Sequence, residues 1–427
     1  MISTRIEQAL ADCIEQTRPK RILVGFSGGA DSSVLLHALS KLTLPQPIIA
    51  IHVHHGLSAN ANNWFTLCES QCQSLGVTFI GQHAQVKTDA GSLEQAARVA
   101  RYDVFETFVL PGDALMLGHH QDDQVETFMM RLMRGSGMTG LTAMETQRPF
   151  GKGTLLRPLL AVSRDEIEAY AAHYDLPFVQ DESNDDLAFD RNWWRHEMLP
   201  TLSERYPQAT QSIVKTISIL QTEHRLLNDL IDPIYQEVVD KQGRLDTNKL
   251  ARQSWSIQCQ LIRKWLEKHN RYPLLADKQI KVLLADVMNA RIDAEPVYKW
   301  QDNEVRRHNG KLHVMPSLPE VDTSGFVQNF NGTSAPQLPA GQLTWQPGLG
   351  LKPSDYQLAL YQGGLKARPI NRPNKALKKW FQEFDIPPWQ RPFWPVLLKN
   401  GDVVAVPGLF VCQGYACEQG WQFNFHM

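Results

Sequence analysis

The sequence predicts an α/β protein, with a parallel sheet and its crossover helices first, then a helical domain, then a small α+β domain at the carboxy end. Three observations carry this. Over residues 1–160 short apolar runs alternate with helical patterns, the signature of strands joined by crossover helices. From 190 to 315 long helical stretches dominate. After 353 a basic helical stretch is followed by short strand-like apolar runs.

Taken in order, the runs at 21–26 (RILVGF), 47–53 (PIIAIHV), 77–80 (VTFI) and 114–117 (ALML) are apolar on both faces, as strands buried between helical layers must be. Helices are expected between and after them, over 32–41, 62–75, 92–110 and 122–134, and Leu155-Leu156 adds a further short strand. Longer helices follow at 209–230 and 255–268, and a β alternation returns at 298–314. Residues 317–351 are rich in Pro, Gly, Ser, Thr, Asn and Gln, which favours turns, a linker or loosely packed β segments. Strands at 395–398 and 403–406 close the chain. The expected divisions are 1–205, 206–316, a connecting stretch 317–352, and 353–427, with no internal repeat.

A chain of 427 residues is long enough for about three domains at ~150 residues each and needs no disulfide or metal staple. Lys plus Arg number 43 and Asp plus Glu 45, so any nucleic-acid surface has to be a local patch. One such patch lies at 365–400, where eight basic residues, Lys375, Lys378 and Lys379 among them, stand against two acidic ones. The aromatics interleaved there, Trp380, Phe381, Trp389, Phe393 and Trp394, are expected to build a small core more than to stack on bases. The amino terminus lacks the apolar stretch of a secretion signal, and no run approaches the ~18 apolar residues of a membrane helix. Six cysteines form no CxxC pair, which points to the reducing cytoplasm.

Three polar clusters each follow an apolar strand. The first strand runs into Ser27-Gly28-Gly29-Ala30-Asp31-Ser32 and a helix. Paired glycines let backbone N–H groups turn to an anion, serine hydroxyls can donate, and a helix amino terminus favours negative charge. The Walker ending and the GxGxxG pattern are both missing. The second strand ends in His52-Val53-His54-His55, where His52 and His54 share a face and suit polar packing or adenine-side contacts better than zinc. The fourth ends in Gly118-His119-His120-Gln121-Asp122-Asp123-Gln124-Val125-Glu126, which lines a helix's first turn with acids. In a parallel sheet all three clusters come to one edge, where ligands bind. The glycine turn and the acids are therefore expected to open into one chamber.

The segment SGGADS resembles the signature of the PP-loop ATP pyrophosphatase superfamily, with its adenine nucleotide alpha hydrolase-like catalytic domain. That resemblance implies that Ser27, Gly28, Gly29, Ala30, Asp31 and Ser32 hold ATP phosphates, that Asp31 positions Mg²⁺, and that His54 lies on the cofactor side. HVHHGLS at 52–58, ARVARY at 97–102, GHHQDDQVETFMMRLMRGSGMTGL at 118–141, RPLL at 157–160, DESNDD at 181–186 and RNWWR at 191–195 together resemble the tRNA(Ile)-lysidine synthase family. So does NKALKKWFQEFDIPPWQRPFWPVL near the carboxy end, although its lead-in RPINRPNKALKK is less rich in arginine and glycine than in many members.

The family resemblance implies ATP-dependent adenylation of the position-2 carbonyl of the wobble cytidine in a CAU anticodon. The ε-amine of free L-lysine then displaces AMP. Asp123 and Glu126 are the expected holders of the lysine ammonium, either one able to take its proton, with His119 and Asp122 positioning the adenylate or the amine. Arg98 or Arg101 would stabilise charge on phosphate, Arg131, Arg191 and Arg195 would meet the anticodon arm, and Lys375, Lys378 and Lys379 the acceptor end of tRNA(Ile). Oligomeric state is left open, a homodimer included. The rival expectations are a PP-loop tRNA thiolase, which needs reactive or cluster-binding cysteines, and a tRNA-binding module without catalysis.

Overall fold

The computed structural model describes residues 2–427 apart from 59, 87–92, 180–181, 183–185, 270–274, 292–293 and 320–324. The expected helix start at 92, most of DESNDD and part of the connecting stretch lie outside the described residues. Two compact units, Met1–Asn228 and Asp229–Met427, are each taken by themselves.

In the first unit the elements run α1 (Ile2–Thr17), β1 (Ile22–Gly25), α2 (Ala30–Lys41), β2 (Ile48–His54), α3 (Ala61–Ser74), β3 (Thr78–His83), α4 (Leu93–Phe108), β4 (Ala114–Met116), α5 (Gln121–Met133), α6 (Met138–Leu141), β5 (Gln147–Phe150), β6 (Gly153–Leu156) and α7 (Arg164–His173). Then come α8 (Asp190–Trp193), a π turn over Trp194–Met198, and α9 (Leu199–Arg205). The sheet order is β3-β2-β1-β4-β6-β5, parallel except for the β5–β6 hairpin at its edge. The expected α/β fold with a parallel sheet is what forms.

Alternation along the strands divides the core. Ile22, Val24 and Phe26 join Ala114 and Met116 against α1, α2 and α7 residues such as Leu10, Leu35, Leu39 and Tyr170. Leu23, Leu115 and Leu155 point the other way, into Phe105 and Val109 of α4 and its end. Both faces are thus covered, which is why these strands read as continuous apolar runs.

β1 lies between β2 and β4, so the chain leaves the middle of the sheet in both directions. The loops after β1 and β4 diverge there and open a crevice at the carboxyl edge. The opposite edge is pinned by Asp113, whose carboxylate is 3% exposed and accepts from Arg21 Nε at 3.0 Å and the Leu110 N–H at 2.8 Å. Burial alone raises the Asp113 pKa, but the Arg21 bond, the Leu110 amide and the Arg21 and Lys20 charges together outweigh it and hold the group below the carboxylate range.

In the second unit the helices Trp255–Lys268 and Asp277–Leu283 accompany a four-stranded antiparallel sheet. Three of its strands, Val297–Trp300, Asn303–His308 and Lys311–Pro316, fall where the β alternation was read. Further on, a five-stranded antiparallel sheet and a long ribbon pairing Gln342–Leu351 with Ala416–His426 pack around the helix Leu377–Glu383. Trp380, Phe381 and Trp394 are buried in that core, and Trp389 and Phe393 are buried too.

Asp113→Ala should destabilise the first unit by roughly 3 kcal/mol, because Arg21 and the Leu110 N–H both lose a buried partner. The measurement is the urea midpoint of the first unfolding transition. An unchanged midpoint would show that Asp113 does not pin the sheet.

Candidate active site

The loop after β1 is held from below and above. The His52 Nδ1–H donates to the Phe26 carbonyl at 2.9 Å, which fixes the backbone just before Ser27. Gly28 has φ +85°, and a Cβ there would stand 2.7 Å from Cys68 Sγ, so both conformation and space demand glycine. Its carbonyl accepts from the Val179 N–H at 2.8 Å. The Ser27 and Ser32 hydroxyls lie 3.1 Å apart, the Gly29 N–H reaches Ser27 Oγ at 3.3 Å, and Ser32 Oγ donates to the Gly29 carbonyl at 3.0 Å. Gly29 is the N-cap of α2 and brings no side chain to its first N–H groups, while Ala30 and Asp31 open the helix. The result is a set of backbone donors at a helix amino terminus, a geometry that suits an anion.

The end of β4 comes directly against this loop. A Cβ on Gly118 would meet the Asp31 carbonyl carbon and oxygen at 3.0 Å, so the two backbones touch with nothing between them. Two residues on, His120 caps α5. Its own N–H donates to Asp123 Oδ2 at 2.9 Å, and its Nδ1 accepts from the Asp122 N–H at 3.3 Å. With Nδ1 accepting, the ring proton sits on Nε2, which lies 3.8 Å from Asp31 Oδ1 and 3.6 Å from Asp123 Oδ2. One fully buried imidazole therefore stands between the glycine loop and the acidic helix, which lie side by side at the carboxyl edge of the sheet.

Asp123 and Glu126 are met by Arg191 and Arg195. Arg191 Nε lies 2.6 Å from Glu126 Oε2 and its Nη2 2.9 Å from Asp123 Oδ1. Arg195 Nε lies 2.7 Å from Glu126 Oε1, and its Nη2 reaches Glu126 Oε2 at 3.1 Å and Asp123 Oδ1 at 3.3 Å. Four residues apart, the two arginines share a helical face and close as a pair over the acids. Side chains expected in two separate roles thus form one cluster of two positive and two negative charges.

The surrounding field sorts the acids. Burial raises Asp123, but His120 and then Arg191 outweigh it and bring the group down to about 2. Asp31 and Asp122 are raised, chiefly by burial, with His120 opposing in each case. His119 is pushed down to about 3 by burial, with Asp123 opposing and Arg157, Arg191 and Arg98 adding to the effect. The imidazole is neutral at pH 7.

Other expected residues lie as follows. His54 shares a 3.0 Å hydrogen bond with Asn62 and sits against the His83 ring, 4.5 Å between centroids. Arg98 lies over Tyr102, and Arg101 lies toward His55, which burial and then the Arg101 charge push down to about 4. Arg131 Nη1 is engaged with the carbonyls of Gly140 and Ala143 at 2.9 and 2.7 Å. Lys378 and Lys379 are exposed, whereas Lys375 lies 3.5 Å from Glu383 and over the Trp380 ring.

Two polar groups at the site were not anticipated. His120 links the two halves of the site, and its signal was its place three residues before Asp123, the spacing of a capping box. Arg164 interacts electrostatically with Asp31 and Asp122. The Ser163–Glu166 box that starts its helix at the same sheet edge was the available clue.

Among the described residues no group of three or more His, Cys, Asp or Glu side chains is arranged to hold a metal. A Mg²⁺ ion would depend on phosphate oxygens together with Asp31, whose carboxylate is 41% accessible, a donor set that suits this hard cation. Cys68 and Cys72 are fully buried and pushed up to about 12 by burial, so neither is poised for sulfur chemistry.

These shifts fix the acid side of the stability profile. His119 protonates less readily in the folded protein, so below about pH 6.5 the unfolded chain gains protons first and stability falls. Asp123 contributes stability above about pH 3.9, and that contribution is lost as pH falls toward 2. In urea titrations across pH, His119→Gln should flatten the decline between about pH 6 and 4, and Asp123→Asn the one below it. Two unchanged profiles would contradict both assignments.

Comparison with known proteins gives three family matches: the PP-loop domain over residues 2–202, the TilS substrate binding domain over 245–313, and the TilS substrate C-terminal domain over 356–425. The tRNA(Ile)-lysidine synthase of Proteus mirabilis (strain HI4320) is 36% identical over 406 residues, 91% of each chain. That of Vibrio cholerae serotype O1 (strain ATCC 39315 / El Tor Inaba N16961) is 38% identical over 422 residues, 95% of each. Among solved structures, the U34-tRNA thiolase NcsA from Methanococcus maripaludis with its [4Fe-4S] cluster matches at a TM-score of 0.42 and 19% identity, covering 52% of this chain and 80% of that one. With such identity along nearly its whole length to curated relatives, the chain belongs to the tRNA(Ile)-lysidine synthase family.

Proposed function

We propose that this chain joins free L-lysine to the wobble cytidine of a tRNA(Ile) bearing a CAU anticodon, with Mg·ATP as the activating substrate. The observation that carries the reading is the closeness of the two clusters: His120 Nε2 lies within 4 Å of both Asp31 on the glycine-loop side and Asp123 on the acidic helix. An adenylate formed at the loop and an amine held at the helix would meet there.

In the first step the cytidine position-2 oxygen attacks the α-phosphorus and pyrophosphate leaves. Ser27, Gly28, Gly29, Ala30 and Ser32 supply the cradle for the phosphates, and Asp31 stands where it can share Mg²⁺ with them. In the second step the lysine ε-nitrogen attacks carbon 2, the carbon–oxygen bond to the adenylate breaks, and AMP leaves. The ammonium must lose a proton first. Asp122, raised by burial, suits that task better than Asp123, held at about 2 by His120 and Arg191. Asp123 and Glu126 would hold the amine while Arg191 and Arg195 supply the compensating positive charge. The patch around Lys375, Lys378 and Lys379 would grip the acceptor end. Such substrates suit a reaction in the cytoplasm. Among the described residues no helix is long and apolar enough to cross a membrane.

The test is to incubate the protein with ATP, lysine and an unmodified isoleucine tRNA transcript carrying CAU, and to look by mass spectrometry for one condensed lysine on the wobble cytidine. Asp31→Ala should reduce AMP formation by roughly a hundredfold or more. Glu126→Gln should raise the KM for lysine roughly tenfold, about 1.4 kcal/mol, while ATP is still bound. Binding of tRNA without ATP turnover in the unaltered protein would leave only a binding module.

A further inference from the structure

Tyr102, on α4, is surrounded by three guanidinium groups. Arg98 Cζ stands 4.9 Å from the ring centroid and its Nη2 is 3.2 Å from the hydroxyl. Arg148, on β5, lies 5.9 Å from the same ring and 5.7 Å from Phe150. Arg157, just past β6 and 4% exposed, donates from Nη1 to the Glu145 carbonyl at 2.7 Å, while its Nε is buried without a hydrogen-bond partner. Among the described residues none of the three has a carboxylate at ion-pair distance. Among the described residues the acceptors they meet are the Tyr102 hydroxyl and the carbonyls of Glu145 and Pro149.

This is an expensive arrangement in the folded protein. A nine-tenths buried guanidinium with an unmatched N–H and two like charges nearby is stabilised by an anion and by little else. Its place in the sheet says which anion. The Leu117 N–H bonds to the Leu156 carbonyl at 3.1 Å, so Arg157 lies level with the end of β4, on the side away from β1. The phosphate loop flanks β4 on one side and the guanidiniums flank it on the other, with His119 following the strand. Arg157 and Arg98 also act on His119, helping burial keep it neutral.

We propose that Arg98, Arg148 and Arg157, gathered on Tyr102, form a second oxyanion site that takes tRNA backbone phosphates beside the target nucleotide. A free carboxylate is satisfied by one guanidinium fork, whereas three guanidiniums spread around one ring match a strand with repeated phosphates. Arg98 and Arg148 are half-buried, which leaves the site open on the side a strand would enter. The inference rests on the tRNA reading above and adds the contact that would set the reacting base against the phosphate loop.

The test measures binding of a labelled tRNA transcript to the full-length protein across a salt series, with KM values for lysine and ATP alongside. Arg148→Ala should weaken tRNA binding roughly fivefold and lower the slope of log Kd against log salt by about 1, with both KM values unmoved, and adding Arg98→Ala should lower the slope by about 2. Arg157→Met, which removes a buried charge, should weaken tRNA binding without lowering the melting temperature. An unchanged slope in the double variant overturns the site. So does a rise in lysine KM alone, which would assign the cluster to the amino-acid carboxylate. A falling slope in a protein that makes no lysidine sinks the reaction but keeps the site. Lysidine made with an unchanged slope does the reverse.

Discussion

The close approach of Gly118 to the Asp31 backbone is the constraint on which the site depends. Two strands that are neighbours in the sheet, β1 and β4, send their chains apart at the carboxyl edge, and only a residue without a side chain lets them do so in contact. Everything placed afterwards inherits that contact. Helix α2 begins on one side of it and helix α5 a few residues beyond the other, so their amino termini share one crevice. The position of the chemistry follows from topology before any catalytic side chain is considered.

Electrostatics then decides what each side chain in the crevice can do. His120 is oriented by its capping bond, which turns Nδ1 to the Asp122 N–H and leaves Nε2 facing two carboxylates. Asp123 is ionised far below neutral pH, while its neighbour Asp122 is raised. Adjacent acids on one helical turn are driven apart because Asp123 accepts from guanidiniums and an N-cap amide at hydrogen-bond distance while Asp122 is raised chiefly by burial. Separation of that kind is how identical functional groups acquire different tasks.

Much of this was legible in the chain. Strands β1 to β4 announce themselves as unbroken apolar runs because both faces are covered, and the three polar clusters fall at their carboxyl ends. The edge strand Gln147–Phe150 was not read, since a strand paired on one side carries polar residues and a proline like any turn. The ribbon strand Gln342–Leu351 hid in a Gly- and Pro-rich stretch whose pairing partner lies some 70 residues away, near the end of the chain. At the site, residue types and spacing located the acids but could not say what met them. Arg191 and Glu126 are 65 residues apart, and only the folded path of α8 across α5 brings them within 2.6 Å. Likewise two adjacent histidines look alike in sequence, and strand alternation alone does not tell which one turns inward to cap the helix.

The floor of the phosphate loop is a sulfur atom. Cys68 packs directly beneath Gly28, fully enclosed, at a point where an added atom would push on the backbone of the glycine turn. Oxidation to a sulfenic acid would place such an atom there. The same enclosure that creates this vulnerability also guards against it, because a thiol pushed up to about 12 is ionised only to roughly one part in 10⁵ at neutral pH, and peroxides attack the thiolate. The loop is thereby insulated from redox stress by the packing that shapes it.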